Sequence, residues 1–373
     1  MTSIPMLIVR KDKCDACYGD NFCNHVMKGS IVMDIPHKAT AMSSKGAYVG
    51  QWEGKSIVVK TGAGTDRFMM FDRYSCNTVF QTPDCDVTSS ISNISNIDID
   101  IIRNLQVKIH GRPLPFSYCS SNDLLNELVA GYSRYPINRA TNFLFTSLVI
   151  NPEFAFLNFF TKNHNLPFPR NYGSCGRVSI IERNGSPLET FLDNPFKERA
   201  EIAFHILKSL KSLINDQDRW SLSYLDLSYE NILYNEKSKS ILFTESGNLV
   251  ISQKINYDWT ALGLCNENCM SKEAIYKILE NQNCASFTYQ AAHSMFATVC
   301  AQILTDSNDI RKKFGNKLLG ETIPKGLLHS STDDVSKSLQ ELLSQCVTES
   351  LVNGRMNAVK KLMAILKNII NST

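Results

Sequence analysis

The chain has 373 residues, 43% hydrophobic and 20% charged, with a formal net charge of +3 at pH 7. Its length suits a large core and two or three domains. The apolar fraction argues against disorder, the small net charge against a nucleic-acid partner, and the lack of any run of about 18 apolar residues against a transmembrane segment.

The N-terminus carries a short apolar stretch, Ile4 to Val9, followed by Arg10, Lys11 and Lys13. That stretch is too short for a secretory signal, and the charges sit on the wrong side of it. Residues 14 to 29 form a cysteine-dense head. Residues 46 to 60 read as a hairpin: Ala47-Tyr-Val leads to a turn around Gly50 to Gly54, and Ser56 to Lys60 returns as a strand rich in β-branched residues. Residues 84 to 100 are polar and repetitive, and read as a loop or insertion.

Gly176 to Glu182 reads as another strand, broken by Asn184-Gly-Ser-Pro187. A long helix is predicted from about Pro195 to Ile214, with Ala203, Ile206, Leu207, Leu210, Leu213 and Ile214 at helical spacing. Asn194 and Pro195 make a good start for it, a cap and a first-turn proline. Two short strands follow, Ile232 to Tyr234 and Ile241 to Thr244, around a polar turn at Asn235 to Lys239. Beyond them the chain reads as mostly helical. Leu339, Leu342, Leu343 and Cys346 share one face, as do Met356, Val359, Leu362, Met363 and Leu366. These stripes are core packing. The order suits a small sheet-rich lobe before a larger helical one, an α+β class.

The chain has 12 cysteines: Cys14, Cys17, Cys23, Cys76, Cys85, Cys119, Cys175, Cys265, Cys269, Cys284, Cys300 and Cys346. An even number in close clusters fits a disulfide framework built in an oxidising compartment. Three sequons point the same way, at Asn93, Asn184 and Asn371. Asn184 has Pro187 just past its triplet and Asn371 is nearly terminal, so Asn93 is the glycosylation candidate.

Four points carry chemistry. Lys60 ends its strand, where a kinase keeps the lysine that holds the α- and β-phosphates of ATP. Asp226 and Asn231 are five apart in Leu225-Asp-Leu-Ser-Tyr-Glu-Asn231, after the long helix and before the strand pair. That spacing lets an aspartate face a substrate hydroxyl while an asparagine turns back to a metal. Glu245 in Phe243-Thr-Glu-Ser-Gly247 stands where a kinase has the metal-binding aspartate of D-F-G. Its extra methylene displaces the carboxylate by roughly 1.5 Å, which suits magnesium poorly and manganese better. Fourth are the absences. Tyr224-Leu225 replaces His-Arg, no A-P-E follows Gly247, and no G-x-G-x-x-G precedes Lys60. Asp72 or Asp66 is the expected partner of Lys60.

These residues resemble the divergent protein kinase family that includes the "deleted in autism" proteins. Lys13-Cys-Asp-Ala-Cys-Tyr-Gly-Asp-Asn-Phe-Cys23 is similar to its K-C-x-A-C-F-G-x-x-x-C opening. Cys76 and Cys85 repeat a family cysteine pair, and Tyr172-Gly-Ser-Cys-Gly-Arg177 is similar to its G-A-C-G-R. Tyr224 to Asn231 resembles L-L-D-V-S-F-D-N, and Gly326-Leu-Leu-His329 resembles G-L-L-H. Glu245-Ser-Gly-Asn248 falls at the family's D-A-E-N.

The resemblance implies a bilobal kinase-like fold, disulfides, and residence in the Golgi or secretion. An N-terminally incomplete sequence would reconcile that with the missing export signal. It implies a cysteine-rich cap at 1–29, an N-lobe at 30–185 with an insertion near 84–100, and a helical C-lobe at 186–373. Lys60 matches the nucleotide lysine, Asp226 the catalytic aspartate and Asn231 a metal ligand. Three readings follow. One is a pseudokinase with a signalling or scaffolding role toward a protein partner or receptor. Another is an active atypical kinase using ATP with magnesium or manganese, with Asp226 as base and Asn231 and Glu245 as metal ligands. The third is a zinc-binding head built from Cys14, Cys17, Cys23 and His25.

Overall fold

The computed structural model describes residues 3–4, 9–10, 16–34, 46–79, 81–82, 85–91, 97–163, 166–215, 219–253, 294–313, 325–331, 333–350 and 354–372. Cys14, Cys265, Cys269, Cys284 and Asn93 lie outside them. The chain divides into two compact units, one of residues 1–184 and 245–247, the other of residues 185–244 and 248–373.

The first unit is built on a five-stranded antiparallel sheet of order β1-β2-β3-β5-β4, formed by β1 (Ile31–Met33), β2 (Ala47–Trp52), β3 (Lys55–Lys60), β4 (Asn171–Cys175) and β5 (Val178–Glu182). The expected hairpin is β2–β3. Its turn is the pair Glu53–Gly54, both with positive φ (48° and 75°), and Gly50 lies inside β2. Two left-handed residues make a type I′ turn, whose twist matches that of the strands. One face of the sheet buries Ile31, Met33, Ile57, Val59, Cys175, Val178 and Ile180 against Phe22, Cys23 and Val26 of the cysteine-rich head. The head's short helix α1 (Cys23–Met27) is joined to β4 by the disulfide Cys23–Cys175. Residues 18–22 run along β4, with Tyr18 N bonded to the Gly176 carbonyl and Phe22 N to that of Ser174. Gly176 has φ 62°, and a Cβ there would lie 1.9 Å from the Val9 carbonyl oxygen.

The long segment between β3 and β4 is helical. It holds α2 (Thr65–Val79), α3 (Val87–Ile91), α4 (Ile99–His110), α5 (Pro115–Cys119), α6 (Asn122–Val129), α7 (Ile137–Ile150) and α8 (Glu153–Asn163). Of the stretch read as a loop or insertion, 84–100, residues 87–91 and 99–100 are helical. Val87 and Ile91 are buried on α3, the Cys76–Cys85 disulfide ties this helix to α2, and α4 begins at Ile99. Helix α4 shows regular start and stop chemistry. Asp98 accepts from Asp100 N at 2.8 Å, and Gly111 closes the helix at φ 77°. Among its described residues the first unit therefore holds more helix than sheet.

The second unit holds the predicted long helix as α9 (Phe196–Asn215). It also holds a three-stranded sheet of order β6-β8-β9, from β6 (Ser186–Pro187), β8 (Ile232–Asn235) and β9 (Ser240–Phe243). A second antiparallel pair joins β7 (Trp220–Tyr224) to β10 (Leu249–Gln253). The remaining described elements are a π-helix (Val299–Leu304), α10 (Asn308–Lys313), α11 (Asp333–Val347) and α12 (Gly354–Asn371). The predicted apolar faces are largely inside: Leu339, Leu342, Leu343 and Cys346 on α11, and Val359, Leu362 and Leu366 on α12, are all buried. Cys300–Cys346 links the π-helix to α11. Arg355 is fully buried, its guanidinium bonded to the Cys346 and Val347 carbonyls beside Glu349. In Gly326-Leu-Leu-His329, Arg199 of α9 bonds to the Leu327 carbonyl at 2.6 Å and to the His329 carbonyl at 3.0 Å. A Cβ on Gly326 would strike the Thr305 backbone at 2.3 Å. Among the described residues, no helix is long and apolar enough to cross a membrane.

Candidate functional site

Lys60 sits at the end of β3, paired across the sheet with Ser179 of β5, and is 7% exposed. Its ammonium meets two carboxylates, Glu153 Oε1 at 2.7 Å and Glu245 Oε1 at 2.8 Å. Glu153 is 1% exposed and opens α8. Asn151 places it there: its Oδ1 accepts from Glu153 N at 3.1 Å, and its Nδ2 donates to the Gly62 carbonyl at 3.3 Å. One side chain thus ties the start of α8 to the turn that follows Lys60. Glu245 belongs to the same unit and stands on left-handed backbone, φ 57°. Gly247, two residues on, leaves room for Asn151, whose Oδ1 would lie 2.6 Å from any Cβ there.

Burial alone would lower the Lys60 pKa. The two carboxylates outweigh it and hold the ammonium above its usual range. The set depends most on Lys60, because removing the ammonium leaves two carboxylates together, the buried Glu153 and the partly exposed Glu245.

The second unit holds the other expected pair. After β7, Leu225 N bonds to the Asn248 carbonyl at 3.3 Å. The Asn248 amide donates to Asp226 Oδ2 at 3.1 Å. Asn231 donates its amide to the Asp226 carbonyl at 3.1 Å, which leaves its own Oδ1, the end that binds cations, outside that bond. The Asn231 carbonyl accepts from Thr244 N at 2.8 Å. The Tyr224 hydroxyl bonds to the Thr244 carbonyl, so the tyrosine that replaces the expected histidine fastens the loop to the end of β9.

The structure therefore brings Lys60 and Glu245 together in one unit, and Asp226 and Asn231 together in the other. Asp72 is not the partner of Lys60. It is ion-paired with Arg177, whose guanidinium lies over Phe68 and bonds to the Ala16 carbonyl. Asp66 lies in the first turn of α2. Cys23 is spent in its disulfide, so it has no thiolate for zinc, and His25 Nδ1 accepts from Trp52. Cys76–Cys85 and Cys300–Cys346 are disulfides, Cys119 is disulfide-bonded, and Cys17 is buried with Sγ 3.8 Å from the Arg10 carbonyl.

Two site residues escaped the sequence reading. Glu153 follows Asn151-Pro152, the same cap-and-proline signal that marks the start of α9. Asn248 closes Glu245-Ser-Gly-Asn248.

Comparison with known proteins gives the same direction. Residues 144–349 match the family described as the protein-kinase domain of FAM69. That span contains Glu153, Asp226, Asn231, Glu245 and Asn248. Human Divergent protein kinase domain 2A is 22% identical over 390 residues, covering 97% of this chain and 87% of that protein. Mouse Divergent protein kinase domain 2B is 22% identical over 361 residues, covering 90% of this chain and 76% of that protein. The chain belongs to the FAM69 protein-kinase domain family, a divergent branch of the kinase-like proteins.

Proposed function

We propose that this kinase-like chain is a pseudokinase of the secretory pathway, acting as a signalling or scaffolding protein toward a protein partner or receptor. The observation that carries this reading is the Lys60–Glu245 ion pair. Phosphate transfer needs the lysine open to the nucleotide and the carboxylate open to a metal. Here each occupies the other, and Glu245 is a glutamate where aspartate is expected. As they stand, these residues do not fit magnesium with ATP. The disulfides support an oxidising compartment, the Golgi or beyond it, and fit a glycoprotein.

One observation favours a second reading, an active atypical kinase. The Lys60–Glu153 pair has the arrangement of the strand lysine and helix glutamate that must be in place in a working kinase. On that reading Asp226 would be the base, with Asn231 and Glu245 as metal ligands.

Calorimetry on protein from a secretory host separates the two readings. ATP is titrated with magnesium and then manganese into the parent chain, Lys60→Ala and Glu245→Ala, alongside a phosphate-transfer assay with Asp226→Asn. The pseudokinase reading expects no transfer and no metal-dependent binding. Metal-dependent binding lost in both binding-site variants, with transfer lost in Asp226→Asn, would replace it with the active kinase.

A further inference from the structure

We propose that His25 is a pH-operated latch between α1 and the β2–β3 hairpin, holding Trp52 when neutral and Glu53 when protonated. The Trp52 indole N–H donates to His25 Nδ1 at 3.3 Å. The two rings meet edge-on, with centroids 5.2 Å apart and planes at 77°. An indole can only donate, so Nδ1 must carry a lone pair, and the ring must be neutral with its proton on Nε2. Glu53 Oε1 stands 3.9 Å from that same nitrogen. Once Nδ1 is protonated, two N–H groups face each other across the Trp52 contact and Glu53 becomes the fitting partner. Two neighbours thus compete for one atom with opposite requirements for its proton.

The surroundings make this atom the controlling one. His25 is 39% exposed, so protons reach it freely. Phe22, the residue before α1, packs on its ring, and Tyr172 of β4 packs on Trp52. Among the charged groups, Glu53 favours the protonated ring. Lys55 of β3, lying over both Trp52 and Tyr172, and Lys28 at the end of α1 oppose it. Arg170 stands further out, over Tyr172. The Cys23–Cys175 disulfide fixes α1 to β4, so the helix does not follow the exchange. What moves is the Trp52 side chain, and with it the aromatic surface it shares with Tyr172 and Lys55. Histidine is the side chain whose ordinary titration spans the range from neutral to mildly acidic compartments. The proposal is independent of whether the kinase domain transfers phosphate.

The test follows the Trp52 indole N–H by nuclear magnetic resonance in the full chain with labelled tryptophan. It is one of three tryptophan signals, assigned by its absence in Trp52→Phe. Between about pH 8 and pH 5 it is expected to move in one step. His25→Gln, which keeps an acceptor at every pH and cannot charge, is expected to abolish the step. Glu53→Gln is expected to keep it and move its midpoint to lower pH, since the carboxylate that favours the protonated ring is gone. Should His25→Gln lose its native signals, Glu53→Gln alone decides. An unresponsive indole in the parent chain, the same step in His25→Gln, or a midpoint that Glu53→Gln leaves in place would overturn the latch.

Discussion

Lys60 is held between two carboxylates, the buried Glu153 and the partly exposed Glu245. Glu153→Ala is expected to destabilise the chain by about 1–3 kcal/mol, because the Lys60 ammonium loses its buried acceptor and keeps only the partly exposed Glu245. Glu153→Gln, which keeps shape and one acceptor, is expected to cost less, and denaturant melts compare the two. The raised Lys60 pKa gives the set a pH signature. Its stabilisation is fully present below the ordinary lysine value and is lost as pH climbs through the raised one. Tyr132 acts in the same direction: burial pushes it up to about 12, against the effect of its Ser147 hydrogen bond. Folded protein therefore loses stability upward from about pH 10. Tyrosine absorbance is expected to show the buried hydroxyls ionising together with unfolding. Early ionisation in still-folded protein would contradict this. Lys60, Asp226, Asn231 and Glu245 were readable because each sits in a short contiguous motif. Glu153 was not, since it stands 93 residues from the lysine it serves. Its local signal says only that a helix starts there. Asp72, expected with Asp66 as a partner of Lys60, is held instead by Arg177, 105 residues away.

Helix α7 shows why the first unit was read as sheet. Its residues 140–150 are all buried, so it has no polar stripe and no helical period to detect. Helix α9 keeps an exposed lysine-bearing face and announced itself plainly. The β2–β3 and β8–β9 hairpins were equally legible, because each pairs neighbours across a short turn. The β7–β10 pair joins Trp220 to Gln253 across 33 residues and left no local trace. Close approach between elements is tested most sharply at Gly176. Gly176→Ala must hold a Cβ on left-handed backbone against the Val9 carbonyl, and is expected to cost at least about 2 kcal/mol. A thermal melt within a degree of the parent would show that the residue 9 segment is not held there. Gly54→Ala, in an open turn with nothing within 4 Å, is expected to cost about 1 kcal/mol.

The family assignment spans 144–349, and the structure gives it two units of different construction. The first is cross-linked by Cys23–Cys175 and Cys76–Cys85, the second by Cys300–Cys346. Reductant is therefore expected to lower the melting temperature, by an amount equivalent to about 2–5 kcal/mol for each bond removed. Equal melting curves with and without reductant would show that the cross-links are dispensable. That the chain is cross-linked was legible from the cysteine count, and three of the bonds are seen among the described residues. The connectivity was not legible, apart from the Cys76–Cys85 pair that the family motifs suggested, because partners such as Cys23 and Cys175 are 152 residues apart.

That separation also sets an order of events during synthesis. A ribosome adding about 5–20 residues per second needs roughly 8–30 s to travel from Cys23 to Cys175. Throughout that interval the Cys23 thiol waits beside newly made Cys76, Cys85 and Cys119, any of which can capture it. The cap helix cannot be locked to β4 until Cys175 has been made. A nascent chain stalled before residue 175 would carry it unanchored, and productive folding would draw on a disulfide isomerase to undo early errors.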